Sequence, residues 1–145
     1  MIELLIVITI VGILSAIILN SISSSRAKAY DSKIKQQLGS FRTAAEMYFT
    51  NQGRYSETIG VPVSNCDAGG AAGIFDDFDA VNGRPGLYIA SGSLPSFSQV
   101  FCGATDSAYA VKATLYHTNE YWCVDSKGAS KMIPGMPASG TVCPP

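Results

Sequence analysis

One carboxylate stands where an ionised group is costly. Glu3 is the only charged residue ahead of Arg26, in a stretch otherwise made of Ile, Leu, Val and small residues. An ionised acid inside hydrocarbon costs about 2.5 to 3.5 kcal/mol even on lenient insertion scales, so such residues usually have a function. At the membrane edge the same side chain would cost little. The other reactive side chains are fewer than they first look. Cys66, Cys102, Cys123 and Cys143 include no CxxC pair, and His117 is the single histidine. Zinc sites draw on close Cys or His pairs, so no metal site is expected. An even cysteine count behind a membrane-length apolar segment reads as two disulfides in an oxidising compartment. Asp76, Asp77 and Asp79, with Asn82-Gly83 after them, have the oxygen chemistry for calcium but not the spacing of a calcium loop. They read as turn or cap residues. His117 falls near a hairpin turn and reads as exposed. Tyr48-Phe49 and Tyr121-Trp122 read as core and interface rather than ligand platforms. No nucleophile–base pair stands out, so no enzyme, catalytic residue or cofactor is expected. Ten basic against eleven acidic residues leave a net charge of −1, without the basic footprint of a nucleic-acid binder.

The elements that must position these residues form a stem and a head. Residues 1–19 are apolar all around a helical wheel, with only Glu3, Thr9, Gly12 and Ser15 outside the strongly apolar set. Nineteen helical residues span about 28 Å, enough for a hydrocarbon core of about 30 Å. A cleaved signal peptide would begin with basic residues, whereas here an acid stands third, so the segment is expected to be retained. The helix is expected to continue. Ser23 to Gly53 contains no proline, and Ala27, Tyr30, Ile34, Leu38, Phe41, Ala45 and Tyr48 recur at steps of three or four. Lys and Arg at 26, 28, 33, 35 and 42 lie on the other side, and Gly53 can cap the end. The chain thus divides into a hydrophobic helix over 1–22, an amphipathic continuation over 23–53 and a head over 54–145.

Within the head, residues 54–107 lack strong periodicity, though Gly73 to Ala80 could form a short helix. In residues 108–117, Tyr109, Val111, Ala113 and Leu115 alternate with Ala110, Lys112, Thr114 and Tyr116, which marks a strand. Thr118-Asn119-Glu120 can turn the chain into a second strand over 121–125. Ser126-Lys127-Gly128 can turn it into a third near Ser130 to Ile133. Residues 134–145 hold four prolines and must be irregular. The fold class is α+β: a long helix packed on a small antiparallel sheet.

From Met1-Ile2-Glu3-Leu4-Leu5-Ile6-Val7-Ile8 onward the sequence resembles the type IV pilin and pseudopilin family. The mature N-terminus of that family commonly reads Phe-Thr-Leu-Ile-Glu-Leu, followed by an aliphatic stretch with an internal glycine. Glu3 matches its glutamate, Met1 stands for its leucine, and Gly12 matches its glycine. Residues 121–128, Tyr-Trp-Cys-Val-Asp-Ser-Lys-Gly, look like a stretch found in many small bacterial pilins. The likeness is specific over about the first thirty residues and covers the rest in outline. The family's first two mature residues and glycine-ended leader are absent from this sequence. The proline the family often carries is replaced by Asn20.

The resemblance implies a subunit that waits in the inner membrane and is processed by a prepilin peptidase. Assembly machinery then extracts it into a helical homopolymer for adhesion, motility or DNA uptake. Ile2, Leu4, Leu5, Ile6, Val7, Ile8, Ile10, Val11, Ile13 and Leu14 would pack in the filament core. Glu3 would neutralise a neighbour's terminal amine, an attraction strengthened by low dielectric that would set register. Gly12 and Asn20 mark a weak point where the helix is expected to unwind in the filament. A secretion-type pseudopilin is the alternative within the family. Four cysteines allow three connectivities; Cys66–Cys102 and Cys123–Cys143 is the expected one, the second bridge tying down the proline-rich tail.

Overall fold

The computed structural model describes residues 2–56, 66, 73–90, 92–96, 98–118, 120–135 and 140–145; at 19–21 only the backbone is described. Met1, Asn119, most of the 57–72 stretch and part of the C-terminal tail therefore lie outside the described residues. A single helix, α1, runs from Ile2 to Gln52. Its 51 residues give a rod of about 76 Å. It passes through Gly12 and the serines at 23–25 without a break, because no proline removes an amide. It stops at Gly53, whose φ of 71° only glycine adopts freely and whose N–H donates to the Phe49 carbonyl at 2.7 Å.

Only the second half of α1 meets the head. Ala27, Ile34, Leu38, Phe41, Ala45 and Tyr48 are buried, as the periodicity predicts. Tyr30 is the exception, 42% exposed, while its neighbour Asp31 is buried. Tyr30 lies at the margin of the head's cover, where its ring meets the Tyr116 ring edge-on with centroids 5.9 Å apart.

The sheet has four antiparallel strands in the order β1-β2-β3-β4: Val100–Ala104, Tyr109–Thr114, Tyr121–Asp125 and Ser130–Ile133. Three of these match the expected meander. The additional β1 falls in the stretch that reads as irregular, since five residues containing Gly103 show too little pattern to stand out. The short helix expected over Gly73–Ala80 is absent. There Asp77 and Asp79 accept the amides two residues onward, at 2.7 and 3.1 Å, a local bonding pattern that competes with the helix. A short helix instead occupies Pro85–Ile89 (α2), opened by proline in its first turn and set beside α1.

Both faces of the sheet are covered. Register pairs Val111 with Cys102 and Val124, and these residues face the stem together with Tyr109, Ala113 and Leu115. Phe41 stacks on Phe75 at 5.9 Å and meets the Tyr109 ring edge-on at 5.6 Å. The opposite face packs Tyr121, Cys123, Ile133 and Cys143 around Phe101. There a Cβ on Gly103 would lie 2.7 Å from the Gly140 carbonyl, so the tail approaches β1 as closely as glycine permits. Cys123–Cys143 and Cys66–Cys102 are both formed, with Cα separations of 5.8 and 5.2 Å. Closing loops of 20 and 36 residues removes about 3 to 4 kcal/mol of unfolded-state entropy each.

Candidate assembly site

The N-terminal half of α1 projects its side chains away from any other part of the described chain. Every side chain the sequence points to is exposed there: Ile2, Glu3, Leu4, Leu5, Ile6, Val7, Ile8, Ile10, Val11, Gly12, Ile13 and Leu14. Exposure runs from 74% at Ile2 to 52% at Ile6 and Ile10. Scattered apolar residues on a surface need no explanation, but a continuous apolar rod does. By length and composition the helix can cross a membrane.

Its polar side chains make few demands. The Thr9 hydroxyl donates to the Ile6 carbonyl and the Ser15 hydroxyl to the Val11 carbonyl, each at 2.8 Å. Both are therefore satisfied by their own helix and tolerate an apolar surrounding. Glu3 lies in the first turn, where the free amides of a helix start favour negative charge. A Cβ added at Gly12 would meet nothing within 4 Å, so no contact among the described residues requires glycine there. The backbone is helical at Asn20, whose side chain lies outside the described residues.

Three acids that the sequence reading did not single out hold stem and head in place. Asp31, 8% exposed, accepts the Tyr116 amide at 2.6 Å and shares the His117 amide at 3.3 and 3.4 Å. The β2–β3 turn is thereby pinned to the stem, with the His117 residue itself exposed. Glu46 accepts the Tyr55 hydroxyl at 2.9 Å and the Tyr109 hydroxyl at 3.4 Å. Burial, and then the Glu46 carboxylate, push both phenols well above their usual range, so they stay protonated donors. Asp125, 1% exposed, accepts the amides of Lys127 at 3.0 Å and of Ala129 and Cys143 at 2.9 Å. One carboxylate thus shapes the β3–β4 turn and anchors the disulfide-closed tail. The signals were present: Asp31 interrupts an apolar stripe, and Asp125 opens an Asp-Ser-Lys-Gly turn.

The remaining polar features have structural roles. The Asp77 carboxylate also accepts the Asn82 side-chain amide at 2.7 Å, completing a turn. Among the described residues no group of three or more His, Cys, Asp or Glu is placed to hold a metal ion. Lys112 is buried at 3% exposure on the tail-facing side of β2, and burial lowers its ammonium pKa. Lys35 sits over the Trp122 ring, 4.7 Å from its centroid. Comparison of the chain with known protein families, with curated proteins and with solved structures gave no match. What the chain itself defines is an α+β stem-and-head protein with a disulfide-bonded head and an uncovered apolar half-stem.

Proposed function

We propose that this chain is the structural subunit of a type IV pilus-like extracellular filament, held in the cytoplasmic membrane before assembly. The observation that carries the reading is the division of one continuous helix into two halves. One half is covered by the head, and the other offers about 25 Å of predominantly apolar surface from Ile2 to Ile18, with a single acid in its first turn. Such a surface is stable only in lipid or against other apolar helices, and a subunit that passes from membrane to filament core meets each in turn. Burying a Leu or Ile side chain contributes about 1.5 to 3 kcal/mol, so helix bundling would supply most of the cohesion. Glu3 would pair with a cation of the adjacent subunit. An unpaired carboxylate in that core costs more than the pair gains, which makes it a device for register.

The test is Glu3→Ala, with Glu3→Gln to keep the side-chain shape, in cells expressing the full chain. Membrane insertion and head folding should be unchanged while filament yield or regular register falls. Normal filament abundance and length in both variants would refute the role of Glu3. Long filaments sheared from cells and composed of this chain would support a pilus, whereas short periplasmic assemblies would point to the secretion-type alternative.

A further inference from the structure

Immediately beyond the apolar half-stem the charge pattern becomes one-sided. Between Glu3 and Glu46 the helix carries Arg26, Lys28, Lys33, Lys35 and Arg42 against a single acid, Asp31. That acid is buried and accepts the Tyr116 and His117 amides. Arg26, Lys28, Lys33 and Lys35 are all exposed, so the surface of this segment is positive throughout. Arg26 and Lys33 are seven residues apart on one flank of the buried row Ala27, Ile34 and Phe41; Lys28 and Lys35 are seven apart on the other. The two flanks point about 200° apart around the helix. Charge of one sign on opposite sides of a rod fits a plane that the rod crosses better than a neighbour approaching from one side.

The heights agree. Counting from Ile22, the last large apolar residue of the span, Arg26 stands about 6 Å and Lys28 about 9 Å along the axis. The polar headgroup layer is about 5 to 8 Å deep on each side of the hydrocarbon. Lys33, at about 16 Å, can reach back along its four-carbon side chain to about 10 Å, just outside that layer and within a Debye length of its charge. Between these heights lie two exposed rings, Tyr30 at 42% and Tyr116 at 52%, in edge contact where stem and β2–β3 turn meet. Amphipathic aromatics with lysines and arginines are the side chains that settle at a membrane interface.

We propose that residues 26–33 of the stem, with the Tyr30–Tyr116 edge of the head, form a collar that docks on anionic phospholipid headgroups while the subunit is membrane-held. The inference rests on the proposed membrane-held state and adds its lipid partner. The collar would hold the head upright on the surface, and it would have to be released when the subunit is extracted.

The experiment uses the full chain reconstituted into vesicles of phosphatidylcholine alone and of phosphatidylcholine with phosphatidylglycerol. Flotation reports anchoring, and acylation of lysines, read by mass spectrometry, reports the collar. Lys127, exposed in the β3–β4 turn next to the Gly128 that Arg42 contacts, serves as the internal reference. Phosphatidylglycerol should slow labelling of Lys28 and Lys33 about threefold relative to Lys127, an effect lost at high salt. Arg26→Gln should reduce that contrast. A chain that fails to float with either vesicle overturns the membrane-held reading itself. A chain that floats with both, but whose Lys28 and Lys33 react equally in each, overturns the collar alone. Protection that follows protein density rather than phosphatidylglycerol would assign these cations to a neighbouring copy and also overturn it.

Discussion

Asp125 offers the sharpest quantitative test, because one side chain at 1% exposure serves two separate structures. Its Oδ1 accepts the Lys127 and Ala129 amides of the β3–β4 turn, and its Oδ2 accepts the Cys143 amide of the tail. A hydrogen bond to a charged group contributes about 1.5 to 3 kcal/mol. In Asp125→Ala the amide of exposed Lys127 can turn to water, that of Ala129 partly so, and that of buried Cys143 not at all. The expected loss is about 4 kcal/mol, dominated by the orphaned Cys143 amide. For a chain of this size that lowers Tm by roughly 12 °C. Asp125→Asn should separate the two roles. Its carbonyl can still accept from Lys127 and Ala129, but its amide group then confronts the Cys143 N–H, donor against donor. About half the destabilisation should remain, while the tail detaches as fully as in the alanine variant. The assay pairs thermal unfolding of the detergent-solubilised full chain with thiol trapping under mild reductant. Cys123–Cys143 should reduce faster in both variants, and Cys66–Cys102 at the parental rate. If both variants melt within about 3 °C of the parent, or if Cys123–Cys143 reduction is unaltered, the role assigned to Asp125 is wrong.

Stability should depend on pH in two opposed ways above neutrality. Tyr55 and Tyr109 keep their protons above the ordinary phenol value of about 10, so their contribution is complete below that pH and is lost as pH rises further. Lys112, its pKa lowered by burial, carries a charge cost at neutral pH that is relieved as pH climbs towards about 10.4, the unfolded value. A melting series should rise gently towards pH 10 and then fall. Lys112→Met should abolish the rise and spare the fall, and a rise that persists in this variant would contradict the assignment. Asp31→Ala should cost about 2 to 3 kcal/mol and speed hydrogen exchange of the Tyr116 and His117 amides specifically. Gly103→Ala must displace the Gly140 carbonyl, which a Cβ would approach to 2.7 Å, so thermal unfolding should show a loss of about 1 to 3 kcal/mol. Parental stability there would mean that the tail moves aside at no cost.

Much of the architecture is legible in the chain because its signals are local. An apolar run without proline, followed by apolar residues at steps of three and four, requires a long helix with two different environments, and α1 runs from Ile2 to Gln52. Period-two alternation between turn residues places β2, β3 and β4. What escaped are features that depend on partners distant in sequence. Val100–Ala104 becomes a strand only because β2 offers an edge to pair with. The Gly73–Ala80 stretch is different, its helix lost to a local competition in which the Asp77 and Asp79 carboxylates take up amides two residues onward and the Asn82 side chain joins the turn.

Acids show the same division most plainly. Glu3 stands out in sequence because everything around it is apolar, and its surroundings in this chain remain open. Asp31 and Asp125 look like ordinary surface carboxylates until the fold brings amides 85 and 18 residues away within hydrogen-bond distance. Residue order by itself determined which surfaces are apolar and how the backbone coils, since both follow from neighbours within a few residues. Tertiary structure alone decided which polar groups lose water and must find a partner. That outcome depends on which distant segments close over them, and a buried carboxylate is stable only where such segments bring donors.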